Sequence, residues 1–384
     1  MEIGSIGNAK IVINILEEKG FEAFMVGGVV RDYLLGIEVH DIDITTNAKP
    51  HQIATIFRTY PTGIKFGSVT IRFKDDYFEV TTYRGEAEYL DKRHPDSIHF
   101  IKDVKDDVLR RDFTINGLLM TSKEEIIDYV GGKEDIRAEL IRAIGNPVDR
   151  FEEDALRILR MFYFQSKLGF KIDFETFHAA ELKGESIAFL PNERILTEMI
   201  KLLKGEHQLL AFKSLHESKV SKYLPGLEKG IEFFSSANIV PYIDSFFILS
   251  FYLNGSVPKE WKFDNLHRHK YQTVIEIANK SDNYSNLTLF QNGLENCLLA
   301  NRILSLLKKE KFMKKEIEYK YANLAIKSEM DLKITNNEIL EIADKKPGAW
   351  LGKLNKELVE SVIENKLENS KEVLISYVKE KLWN

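Results

Sequence analysis

A single cysteine, Cys297, in a chain of 384 residues excludes an intrachain disulfide and a cysteine-rich zinc module, and fits a reducing compartment. Excess positive charge is lacking too: 54 Lys and Arg stand against 59 Asp and Glu, a net −5, so any grip on nucleic acid must come from a local basic surface. Long apolar runs are missing. The nearest approach, Phe233 to Leu253, is interrupted by Pro241 and Asp244 and holds Ser235, Ser236, Asn238, Ser245 and Ser250, which falls short of the roughly 20 apolar residues of a membrane helix. It reads as buried helix. The first ten residues have neither the basic start nor the apolar stretch of a secretory signal, so the expectation is a cytoplasmic protein with no membrane partner. Nothing calls for an obligatory protein partner. What is present, 44% hydrophobic and 29% charged residues, describes an ordinary globular chain with material for two to four domains.

Two textures meet near residue 140. Before it, strand-like runs alternate with turn signals: Ala9 to Lys19 predicts an amphipathic helix ending at Gly20, Phe21 to Val26 a strand, and Val29 to Leu35 a helix stopped by Gly36. Asp41 to Thr45, Ser68 to Phe73 and Tyr77 to Tyr83 read as strands, with Lys74-Asp75-Asp76 as a hairpin turn. Arg84 to Asp107 reads as a long charged loop or lid. From Pro147 on, apolar residues recur at three and four, and Pro191, Pro225, Pro241, Pro258 and Pro347 fall between predicted helices. Lys308, Lys309, Lys311, Lys314 and Lys315 cluster near the start of the last 84 residues, as a solvated helix face or as a phosphate contact. His267 and His269, without cysteines or a further ligand, do not make a zinc site.

Gly27-Gly28 follows a strand and opens a helix, so the backbone can approach an anion closely, with Arg31 one turn inside. A structural turn explains the pair equally well, and Asp32 could pair with a neighbouring arginine. In Val39-His40-Asp41-Ile42-Asp43-Ile44 the strand period of two puts both aspartates on one face, with Ile42 and Ile44 behind. Two carboxylates so placed repel unless a cation lies between them, and Mg²⁺ suits one or two carboxylates with room left for water and phosphate. Glu79 is a candidate third carboxylate, or an exposed strand residue. In Arg110-Arg111-Asp112-Phe113-Thr114-Ile115-Asn116, a guanidinium can fork phosphate and a carboxylate can accept from ribose hydroxyls, although the same run could open a helix.

Along Arg150 to Arg160, helical spacing lines up Glu153, Arg157 and Arg160, with Asp154 beside them. An i,i+4 pair on an amphipathic surface is one account. The other is chemical: cytosine and adenine each show an exocyclic amino donor beside a ring-nitrogen acceptor, whereas guanine and uracil show a carbonyl beside a ring N–H. One carboxylate and one guanidinium side by side accept the first two bases and refuse the others. Asp154 and Arg157 could form that pair, with Glu153 holding the guanidinium.

Taken in order, these motifs resemble the bacterial class II tRNA nucleotidyltransferases, the CCA-adding enzymes of the polymerase β superfamily. The resemblance runs through Gly27-Gly28-Val29-Val30-Arg31-Asp32, Asp41-Ile42-Asp43, Arg110-Arg111-Asp112 with Asn116, Ile141 to Pro147, and Glu153-Asp154 with Arg157. Echoes at Glu193-Arg194 and Lys346 to Gly352 are similar to the Bacillus-type subgroup. It implies an α+β fold with a polymerase-β-like catalytic head and a mixed sheet at 1–140. An all-helical neck (141–205), body (206–300) and tail (301–384) would follow, holding the acceptor arm of tRNA. By the same resemblance Asp41 and Asp43 are metal and catalytic residues, with Glu79 a catalytic candidate beside them. Gly28 and Arg31 contact the triphosphate, Arg111 and Asp112 the ribose, Asp154 and Arg157 the base, and Gly27 and Arg160 the nucleotide. Where many relatives carry a further arginine, Tyr163 stands here.

The implied activity is template-independent addition of C, C and A to tRNA from CTP and ATP, with Mg²⁺ as cofactor and pyrophosphate released. CC-only relatives tend to have a shortened loop where Glu86 to Asp96 looks full length, which disfavours that activity. A-only addition stays open, followed by poly(A) polymerase and a catalytically silent RNA-binding scaffold. A small-molecule nucleotidyltransferase would leave more than 200 helical residues without a task.

Overall fold

The structure, a computed structural model, describes residues 5–39, 41–64, 67–85, 100–280 and 284–383. Two compact units divide the chain: residues 1–241 with 260–262, and residues 242–259 with 263–384.

The first unit begins with helix α1 (Ile6–Glu18), capped by the Ser5 hydroxyl on Asn8 N, which buries Ala9, Val12, Ile13 and Leu16 on one stripe. Then come β1 (Ala23–Val26), α2 (Gly28–Leu34), β2 (Asp43–Thr46), α3 (Pro50–Ile56), β3 (Arg58–Gly63), β4 (Ser68–Phe73) and β5 (Asp76–Thr82). The last two form the expected hairpin, with Lys74 in the left-handed region at its turn. Helix α4 (Val104–Leu109) starts inside the stretch read from sequence as loop, because Asp103 caps it on Lys105 N. Strands β6 (Leu118–Met120) and β7 (Ile126–Asp128) complete a seven-stranded sheet in the order β3-β4-β5-β2-β1-β6-β7. Strand β2 runs parallel to β5 and antiparallel to β1, so the sheet is mixed. Asp43 faces Glu79 across the parallel ladder. The strand was expected from Asp41; its ladder begins at Asp43, yet burial still alternates, with Ile42 and Ile44 inside and both aspartates outside.

Helix α5 (Gly132–Arg137) leads to β8 (Leu140–Ile141), helices α6 (Pro147–Glu153) and α7 (Leu156–Leu168), β9 (Lys171–Ile172), α8 (Phe174–Lys183), α9 (Asn192–Leu203), α10 (Gln208–Glu217) and α11 (Glu228–Ala237). The uninterrupted helix expected over Arg150 to Arg160 is corrected here. Asp154 turns extended (φ −146°, ψ 101°), ends α6, and accepts Leu156 N at 3.0 Å through its own carboxylate, so it terminates one helix and caps the next.

The second unit is helical: α12 (Ile243–Asn254), α13 (Asn265–Ala278), α14 (Asn286–Leu306, bent at Gly293), α15 (Lys314–Ala322), α16 (Asn336–Ala343), α17 (Ala349–Ile363) and α18 (Lys371–Trp383). Its last three helices share a core of Ile339, Leu354, Leu358, Val362, Leu374 and Val378. The segment from Phe233 to Leu253, read as buried helix with a break at Pro241, holds the end of α11 and most of α12, parted from Asn238 on, which sits in the left-handed region three residues before Pro241. Among the described residues no helix is long and apolar enough to cross a membrane.

Gly132 brings α5 against the turn at Thr114, the residue whose hydroxyl donates to Asp135 at 2.6 Å. A Cβ at 132 would lie 2.2 Å from the Thr114 carbonyl oxygen. Gly132→Ala is expected to lower unfolding free energy in urea by about 1–3 kcal/mol, as overpacking against backbone does.

Candidate active site

Strand β2 delivers the aspartates at the middle of the sheet. Partial burial pushes the Asp43 carboxyl up to about 6, and repulsion from Glu79 and Asp41 adds to it, against the pull of Arg111. Such crowding of oxygen donors suits a hard divalent cation, which would relieve it, and does not suit a metal that prefers nitrogen or sulfur. Among the described residues no three or more His, Cys, Asp or Glu side chains converge on one metal point. An ion here would therefore lean on the two aspartates and complete its shell with water or ligand oxygens.

The cradle is built by Gly27, which caps α2 at φ 81°, ψ −128°, a conformation that favours glycine. A Cβ on Gly27 would lie 3.3 Å from Arg111 Nη1, and one on Gly28 3.6 Å from Arg31 Nη2, so both guanidinium groups border the glycine pair. Arg31 is buried: its Nε donates to Asp32 Oδ1 at 2.8 Å and its Nη1 to Asn116 Oδ1, while Lys167 donates to the other Asp32 oxygen at 3.0 Å. Asp32 thus pairs with its neighbouring arginine, and with a lysine on α7.

Beneath the Arg-Arg-Asp segment lies a residue that the sequence reading missed, Asp107, whose side chain is wholly buried. Its Oδ1 accepts from Arg110 Nη2 at 2.6 Å, Arg110 Nε at 3.0 Å and Arg84 N at 3.1 Å; its Oδ2 accepts from Arg111 Nη2 at 3.2 Å. Burial alone would raise its carboxyl, but Arg111 and Arg110 hold it below the usual carboxylate range. The available signal was its spacing of three and four from the two arginines on a short helix. Asp112, likewise buried, gives Oδ1 to Phe113 N at 2.8 Å and Asn116 Nδ2 at 3.2 Å, and Oδ2 to Arg160. Burial is opposed there by the Arg160 guanidinium, and the carboxyl again ends below its usual range.

At the α6–α7 bend, Arg157 is fixed from three sides: Glu153 Oε2 at 2.7 Å, the Arg150 carbonyl at 3.0 Å and the Arg110 carbonyl at 2.9 Å. Glu153 also accepts from Arg150 at 2.8 Å. Asp154 does not bond the Arg157 side chain; its Oδ2 takes Arg194 at 3.1 Å. Arg194 lies 40 residues away, and no local pattern joins the two. Tyr163 packs on Phe164 with ring centroids 4.8 Å apart, under Lys201 Nζ at 5.7 Å. The structure thus brings the cradle, the Arg-Arg-Asp segment and the bend together through Arg111, Arg157 and Arg160. His267 bonds Asp264 on its own helix end. His40 and the loop Glu86 to Asp96, on which the case against CC-only addition rests, lie outside the described residues.

Residues 23–142 match the poly A polymerase head domain, 169–231 the RNA and SrmB-binding site of polymerase A, and 246–378 the tRNA nucleotidyltransferase domain 2. The chain is similar to the CCA-adding enzyme of Enterococcus faecalis, with 37% identity over 383 residues, 96% of this chain and 94% of that one. It is 34% identical to that of Staphylococcus saprophyticus over 388 residues, covering 97% of each. The crystal structure of the Bacillus stearothermophilus CCA-adding enzyme in complex with CTP superposes with a TM-score of 0.81 at 29% identity, covering 97% of this chain and 96% of that one.

Asp107→Asn should test the buried hub. Removing a charge that two arginines share is expected to cost about 3 kcal/mol in urea unfolding at pH 7. A depressed folded pKa contributes stability that is present above the unfolded value of about 3.9 and lost as pH falls through the folded one. The wild type should therefore lose stability on acidification below about pH 4, and the variant should lack that part of the slope.

Proposed function

The chain belongs to the family of CCA-adding enzymes, and on that premise we propose that it adds C, C and A to the 3′ end of tRNA from CTP and ATP, releasing pyrophosphate, in the cytoplasm. The carrying observation is the Arg157 guanidinium clamped between Glu153 and two backbone carbonyls, next to Asp154 at the α6–α7 bend. Arg157 donates to the ring nitrogen of the incoming base, and Asp154 accepts from its exocyclic amino group. Cytosine and adenine satisfy both; guanine and uracil satisfy neither. Because Glu153 already neutralises Arg157 and holds its plane, little ordering is left to do when the base arrives.

Gly28 and Arg31 contact the triphosphate beside Gly27, and Arg111 and Asp112 contact the ribose, with Asp112 accepting from its hydroxyls. Asp41 and Asp43 would hold Mg²⁺, which when bound supplies positive charge against the phosphates and acidifies the attacking hydroxyl. Glu79 stays a candidate beside them, acting on Asp43 through its charge. The residues then position a tRNA 3′-oxygen against the α-phosphorus and let pyrophosphate leave from the cradle, with no nucleic-acid template. We divide the chain accordingly into a catalytic head at 1–140, a base-reading neck at 141–205, and a body and tail at 206–300 and 301–384 that hold the acceptor arm.

Purified protein with Mg²⁺ and a tRNA transcript lacking CCA should add three nucleotides with CTP plus ATP, and none with GTP or UTP alone. Chelation with EDTA should stop the reaction and added Mg²⁺ should restore it. Two nucleotides with or without ATP would mean a CC-only enzyme. Activity confined to tRNA already ending in CC would mean A-only addition, and a long A tail on many RNAs a poly(A) polymerase.

Two variants test the residue roles. Asp41→Ala should lower incorporation by about 10²–10³-fold, the loss seen when one electrostatic stabiliser is removed. Arg157→Ala should reduce preference for CTP and ATP over UTP and GTP by about 10–100-fold, the equivalent of roughly 1–3 kcal/mol.

A further inference from the structure

Asp112 has no acceptor capacity to spare. Phe113 N and Asn116 Nδ2 donate to its Oδ1, and Arg160 Nε and Nη2 both reach Oδ2, at 2.8 and 2.6 Å. Four donors fill the roughly four lone-pair sites of a carboxylate, so a ribose hydroxyl finds no place until Arg160 withdraws. A guanidinium withdrawn into a partly buried site needs another negative charge.

That charge is present on the facing helix. Glu198 of α9 is 4% exposed; its Oε1 takes Lys201 Nζ at 2.8 Å, and its Oε2 is sealed from solvent with no donor among the described residues. A buried carboxylate oxygen without a donor is a costly arrangement unless another state of the molecule uses it. Helix α9 packs along α7, which carries Arg160, and places the Glu198 charge within electrostatic reach of that guanidinium. Tyr163, whose hydroxyl bonds no described residue, is within electrostatic reach of Glu198 and Arg160 alike. Arg160 lies against Phe164, 5.3 Å from its ring centroid, an aromatic face over which a guanidinium can shift without losing all contact.

We infer that Glu198 is a positioning residue that offers Arg160 a second partner, so that the guanidinium leaves Asp112 when the ribose hydroxyls of the incoming nucleotide take that carboxylate. This rests on the proposed role of Asp112, and it makes Glu198 a determinant of ribose recognition that never touches the sugar.

The test compares CTP with 2′,3′-dideoxy-CTP, which lacks both hydroxyls and can still be added once. In Glu198→Gln, KM for CTP should rise about tenfold while KM for the dideoxy nucleotide stays within about twofold and kcat holds. Glu198→Met, of similar volume and uncharged, should show the same sugar-selective loss and serves if the glutamine variant does not fold. Lys201→Met spares the free oxygen and should keep the wild-type ratio. An equal rise for both nucleotides would reduce Glu198 to packing and overturn the inference, as would an unchanged KM for CTP in a folded variant. Wild-type protein that adds CMP but does not distinguish the two sugars would remove the Asp112 reading, and the second partner with it; failure to add CMP at all would count against the proposed function itself.

Discussion

A carboxylate buried beneath two arginines is the constraint on which the site depends. Asp107 is wholly removed from water, and such a charge is tolerable only when donors surround it. Here the donors come from three places: the backbone of Arg84 at the end of β5, and the side chains of Arg110 and Arg111 one turn further along the chain. The Thr45 hydroxyl on the aspartate strand approaches its Oδ2 at 3.5 Å. The need to satisfy one buried ion therefore fixes where Arg111 stands relative to Gly27 and β2.

From that point the charges form a chain into the first helices after the sheet. Asp112, next to Arg111, holds Arg160; Asp32, next to Arg31, holds Lys167; both cations belong to α7. Phe164 of the same helix has Arg31 and Arg160 each 5.3 Å from its ring centroid and packs edge-on against Phe113. The Arg110 carbonyl accepts from Arg157. Helix α7 is thus fastened to α2 and to the Asp112–Phe113 segment by ion pairs and an aromatic contact. Ion pairs of this kind contribute modestly to stability, and their greater effect is on geometry.

Much of this was legible in the amino-acid sequence, and the limits have physical causes. Asp41 and Asp43 were legible because a period of two survives even where the hydrogen-bonded ladder starts late. Gly27 was legible because few residues other than glycine suit a positive φ at the mouth of a helix. The bend at Asp154 was not, since Glu153, Arg157 and Arg160 are spaced as one helix would space them, and Glu153 still reaches Arg157 across the break at 2.7 Å. Helical spacing is a necessary consequence of a helix and not a proof of one. The pairing of Arg194 with Asp154 escaped for another reason: the two lie 40 residues apart in sequence, and only the packing of α9 against the bend brings them near.

The same chemistry limits what the pair at the bend can decide. Cytosine and adenine offer one pattern, an amino donor beside a ring acceptor, so under the proposed roles Asp154 and Arg157 would separate these two bases from guanine and uracil but could not separate them from each other. Asp154 is moreover already committed, through Oδ1 to the helix it caps and through Oδ2 to Arg194, so a base must share its remaining acceptor sites. Under those roles the choice between C and A would have to come from space, since a purine needs room for a second ring. The room can change only if something near the bend moves. The bend is a joint between two helices, held by a carboxylate that caps one of them and is tied to a third.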